Sequence, residues 1–84
     1  MAQFYFDLWR GGQLTPDEVG VALPSLKDAK RRAEIIASSI FDQHEDSPTS
    51  LSGWDIEITD AEGRTFLIVP VADGGLDAKR DRAA

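Results

Sequence analysis

The sequence predicts an α+β fold with element order β-β-α-β-β, a small, mainly antiparallel sheet with one helix packed on one face. Three observations lead there. Trp54 to Thr59 alternates apolar and polar residues without a break, the period of a strand with one buried face. Leu26, Ala29, Ala33, Ile36, Ala37 and Ile40 recur at helical spacing and form one apolar stripe. The chain has 84 residues, room for a single domain whose thin core buries only about 60% of the unfolded surface.

Phe4 to Trp9 is rich in aromatics and reads as the first strand, with Phe4, Phe6 and Leu8 on one face and Tyr5, Asp7 and Trp9 on the other. Gly11-Gly12 ends it. A second short strand fits Val19 to Leu23. Ser25 is placed to cap the helix, with Asp28 three residues on as an imperfect capping box. The helix is expected to stop near Asp42 to His44, before the polar stretch that holds Pro48 and Gly53.

After the strand Trp54 to Thr59, Asp60-Ala61-Glu62-Gly63 is a hairpin turn with Gly63 suited to positive φ. The return strand Arg64 to Val71 is apolar on both faces, Phe66 and Ile68 on one and Leu67, Val69 and Val71 on the other. That pattern predicts a central strand, or one with a partner over its second face. The domain is expected to span 1–72, with 73–84 a disordered tail.

Charge narrows the classes of function. The net charge is -6, unfavourable for binding nucleic acid through the domain as a whole. The distribution is uneven: residues 25–42 sum to +1, the last twelve to 0 and the remainder to -7. With no cysteine there is no disulfide, thiolate metal site or cysteine nucleophile. No basic leader or apolar run of spanning length is seen, so a cytoplasmic location without membrane insertion is expected.

No catalytic constellation emerges, and no enzyme activity, cofactor or metal is expected. His44 is the one histidine, set among Asp42, Glu45 and Asp46. Its metal or general-base reading stands against that of a solvated loop histidine, since neighbouring residues converge poorly on one ion. The serines lack a G-x-S-x-G context, and neither Gly-Gly pair belongs to a phosphate loop. Lys27, Lys30 and Arg31 share a helix surface and are the candidate contact for an anion or acidic partner. Tyr5 and Trp9, joined by Leu67, Val69 and Val71 if the register matches, form a candidate partner-binding patch on the sheet face away from the helix.

Tyr5-Phe6-Asp7-Leu8, Asp17-Glu18-Val19-Gly20-Val21-Ala22-Leu23-Pro24-Ser25-Leu26 and the hairpin residues Asp60, Gly63 and Arg64 resemble a family of short alphaproteobacterial proteins catalogued as a domain of unknown function. The similarity runs from residue 4 to about 71, and it departs from the family pattern at Ala22 and Ser25, where acids are usual. The resemblance implies the same element order and carries no activity, cofactor or site residue. The leading expectation is a non-enzymatic interaction module that self-associates, as a dimer, or docks a protein partner through the uncovered sheet face. The alternative is a nucleic-acid-associated regulator using the basic helix face, and a third reading is a small metal protein or enzyme around His44.

Overall fold

The computed structural model describes residues 1–44 and 51–72. Among the described residues five strands and one helix follow in order: β1 (Ala2–Arg10), β2 (Gln13–Thr15), β3 (Val21–Leu23), α1 (Leu26–Gln43), β4 (Trp54–Thr59) and β5 (Thr65–Pro70). The sheet runs β2-β1-β4-β5, every pairing is antiparallel, and β3 also pairs with β1. The α+β class and the single helix match the expectation.

Two details of the order are corrected. β2 is an additional strand, because Gly11 at φ 65° lets the chain turn straight back onto the C-terminal half of β1. The strand expected over 19–23 begins only at Val21. Gly20 sits at φ 73° just before it, and Val19 is 81% exposed. β2 and β3 therefore share one edge of β1, which makes β1 and β4 the inner strands. The return strand β5, expected to be central or to have a partner over its second face, is an edge strand that pairs with β4 alone among the described residues.

The core lies between sheet and helix. Phe4, Ile56, Ile58, Val69 and Val71 from the sheet side meet Ala29, Ala33 and Ala37 of α1, with Leu51 completing the cluster. The three alanines recur every fourth residue, so one narrow, methyl-lined face lets the helix backbone sit close on the strands. Ser25 caps α1 as the spacing predicts: its Oγ accepts from Asp28 N at 3.4 Å and donates to Asp28 Oδ2 at 2.8 Å. The aspartate thus bonds the cap's hydroxyl, where a longer glutamate would reach for the cap's backbone N–H. His44 closes the other end, its N–H donating to Phe41 O at 3.0 Å.

The turn at Asp60 is built as its sequence suggests. Gly63 N donates to Asp60 O at 3.0 Å with Gly63 at φ 83°, and Asp60 Oδ1 accepts from Glu62 N and Arg64 N, each at 2.9 Å. Arg64 Nε pairs with Asp60 Oδ2 at 2.8 Å. The backbone N–H of Arg64, with its guanidinium and the Glu62 N–H, outweighs the opposing desolvation and holds the Asp60 carboxyl below its usual range.

Gly20 is the tightest turn position. A Cβ there would lie 2.8 Å from Gln3 Nε2 and from Tyr5 Cε2, and 3.0 Å from Phe4 O, on a backbone already in the left-handed region. Gly20→Ala is expected to cost about 2 kcal/mol, from the left-handed strain and the shift forced on β1. Urea unfolding of the two proteins side by side measures it. Gly12→Ala, with nothing within 4 Å of the added methyl and no positive φ, serves as its near-neutral companion.

Candidate functional site

The helix occupies one side of the sheet, and the other side has no element over it among the described residues. Register shows what this open face carries. Trp9 pairs with Leu14 of β2 on one side and Asp55 of β4 on the other, and Asp55 pairs with Pro70 of β5. In the next row Asp7 pairs with Glu57 and Glu57 with Ile68. Tyr5 lies beyond, opposite Thr59. The result is an aromatic and aliphatic surface enclosing three carboxylates, with no Lys or Arg in these rows.

Glu57 is the centre of this surface. Trp9 Nε1 donates to its Oε1 at 2.8 Å, and Thr65 Oγ1 donates to its Oε2. Strand pairing brings both donors to it across the sheet, from β1 on one side and β5 on the other. The hydroxyl of Thr65 first, and the indole N–H second, hold the Glu57 carboxyl below its ordinary range against a small desolvation. Glu57 is thus a fixed anion at neutral pH, and Trp9 is locked in one orientation beside it. Such a surface offers an aromatic ring and a preset negative charge to an incoming cation.

Of the five residues expected in the patch, two, Tyr5 and Trp9, lie on the open face. Leu67, Val69 and Val71 do not: Leu67 pairs with Ile58 and Val69 with Ile56, so they point toward the helix, where Val69 and Val71 are core residues and Leu67 packs against them. A register shift at Ile58/Thr59 leaves Phe66 as the extra residue of a bulge, and it settles against Phe4 with ring centroids 5.6 Å apart. Ile68, 53% exposed, is the β5 residue beside Glu57. The alternation alone groups Ile68 with Phe66 and away from this face, because a strand apolar on both faces gives no sign of its phase.

The basic helix face is only partly brought together. Arg31 and Arg32 line a groove of about 390 Å³ between β3 and α1 with Leu23, Asp28, Ile35 and Ile36, while Lys27 and Lys30 lie outside it. Among the described residues the ion pair present is Arg64–Asp60, so these helix cations have no carboxylate partner there. His44 is used structurally: its Nδ1 lies 2.9 Å from Ile40 O and its ring meets Trp54 edge-on at 5.4 Å. Its expected companions Glu45 and Asp46 lie outside the described residues. No cluster of His, Asp or Glu able to hold a metal occurs among the described residues, and no helix there is long and apolar enough to cross a membrane.

A second acidic residue works at the sheet edge. β2 and β3 leave a gap along β1, and Asp17 fills it. Its Oδ2 accepts from Phe6 N at 3.1 Å, its Oδ1 from Val19 N and Gly20 N at 3.1 Å each, and its own N–H donates to Asp7 Oδ1 at 2.8 Å. In the sequence Asp17 and Glu18 are an acidic pair between two short strands. The offset from Asp17 to Gly20, an Asx turn opening a strand, is the one signal that could have marked it.

The model of a family described as a domain of unknown function (DUF6894) matches residues 3–72, from the second residue of β1 to just past β5, and the chain belongs to that family. No curated protein and no solved structure matches the chain.

Proposed function

We propose that the protein is a non-enzymatic interaction module whose open sheet face docks a partner segment carrying Lys or Arg beside apolar side chains. The observation that carries this reading is the Trp9–Glu57–Thr65 arrangement, which fixes an anion and an aromatic ring side by side on that face. Asp7 and Asp55 flank Glu57 on the same face, and Leu14 and Ile68 border it with 45% and 53% of their surface exposed. Two copies stacked through this face would oppose the three carboxylates of each, which is unfavourable, so the occupant is cationic.

A short peptide of alternating Arg and Leu is the probe. Titrated into the labelled protein at low salt, it should move the amide resonances of Trp9, Asp55, Glu57 and Ile68 and the Trp9 indole N–H. Affinity should fall about tenfold or more in Glu57→Gln with Asp55→Asn, and weaken with added salt. Unmoved resonances on this face, or equal affinity in the double variant, would sink the reading.

A further inference from the structure

We infer that the bare edge of β5 is a self-pairing site, at which a second copy of this chain adds its own β5 antiparallel about a two-fold axis close to Ile68. The two edges of the sheet are treated differently. On the opposite side the edge is divided between the three-residue strands β2 and β3, with the Asp17 carboxylate on Phe6 N in the gap between them. Along β5 no strand, helix or side-chain acceptor covers the edge among the described residues.

Hydrogen-bond alternation tells which groups point outward. Val71 N donates to Trp54 O at 2.9 Å, so Val71, Val69 and Leu67 turn their backbone groups toward β4. Ile68 lies between them and turns both its N–H and its C=O away from the sheet. The side chains along this edge are equally open to a partner. Thr65–Pro70 contains no charged residue, and it carries Phe66 and Ile68 at 46% and 53% exposure. Natural edge strands are normally protected by a charge or an inward lysine; here the protection is confined to Arg64 at one end and Pro70 at the other.

Those two ends also select the occupant. Pro70 has no N–H to continue a ladder, so pairing is limited to the short stretch before it, and a second β5 has the same length and the same limits. Antiparallel pairing of identical strands closes on a two-fold axis and uses up the β5 edge of both copies. Charge agrees with this. The strand is neutral, so copies of net charge -6 approach through a border that carries no charge, while Glu57 and Asp55 stay at least a strand away. A six-residue edge buries less than the roughly 1,200–2,000 Å² of a stable interface, so the pairing depends on concentration. It uses the outward backbone of Ile68, whose side chain also borders the open face.

Sedimentation equilibrium of the full chain should show the mass rising from 9.2 kDa toward twice that with concentration, and amide exchange at Ile68 should slow in step. Ile68→Lys, which puts a charge on the edge, and Ile68→Pro, which removes the outward N–H and fixes φ, should both stay monomeric, with wild-type circular dichroism for Ile68→Lys. Glu57→Gln should dimerise as the parent does. The proposal is overturned by a monomer at every concentration, by a dimer that survives Ile68→Lys, or by Ile68 exchange that does not change with concentration.

Discussion

Ile58→Ala is expected to lower the stability of the fold by about 4 kcal/mol, as measured by the urea midpoint at unchanged slope. Ile58 is fully buried and sits on an inner strand, between Phe6 of β1 and Leu67 of β5. Truncation removes three carbons from the centre of a layer whose opposing wall is the alanine face of α1. That wall cannot close the gap: Ala29, Ala33 and Ala37 have no longer rotamer to offer, and the strands on either side are held by their ladders. A domain of this size has little to spare, with total stability near the lower end of the roughly 5–15 kcal/mol range. The variant should therefore be partly unfolded at 37 °C. Ile35→Ala is the contrast. Ile35 is on the same helix as the alanine stripe but 62% exposed, and its loss should change stability by less than about 0.5 kcal/mol. Equal losses in the two variants would mean that the buried cluster does not carry the stability of the domain.

What could be read from the sequence follows from how local each signal is. The alternation of Trp54 to Thr59 placed Ile56 and Ile58 inside and Asp55 and Glu57 outside, because a period of two is set by the strand itself. The Ser25 cap, the alanine stripe and the Gly63 turn are equally local. β2 was not legible: Gln13-Leu14-Thr15 has no period to detect, and its strand state comes from the partner edge of β1. The phase of β5 was not legible either, since Phe66 to Val69 is apolar throughout and a one-residue bulge decides which side each residue takes. The open face suffered most from this. Tyr5 and Trp9 were found from one strand, but the bond from Trp9 to Glu57 and the place of Ile68 depend on cross-strand register. Asp17 was the plainest miss, an acid whose bond to Phe6 N reaches eleven residues back to β1.

Asp17→Ala should cost about 3 kcal/mol, the second largest effect expected here. The carboxylate accepts three backbone N–H bonds, from Phe6, Val19 and Gly20, and each charge-assisted bond of this kind contributes about 1–2 kcal/mol when its donor is left without a partner. Loss of the clamp also frees the crossing from β2 to β3, because Gly20 and Val21 take their position from it. Asp17→Asn separates the parts. Its remaining oxygen can keep the turn to Val19 and Gly20, but an amide NH2 facing Phe6 N cannot accept, so its cost should be smaller than that of alanine.

The pH dependence tests the same carboxylate. Burial opposes the charge most strongly, yet the N–H groups of Gly20, Phe6 and Val19, with a long-range pull from Arg32, outweigh it and hold Asp17 below the ordinary 3.8. A depressed folded-state pKa means that the contribution is whole above about 3.8 and is lost as pH falls through the lower folded value. The stability gap between the parent and Asp17→Asn should therefore be constant from pH 7 to 5 and narrow below pH 4, while Glu57 and Asp60, present in both proteins, cancel from the comparison. A gap that stays constant to pH 2, or one that widens on acidification, would show that Asp17 does not hold the edge of β1 as an anion.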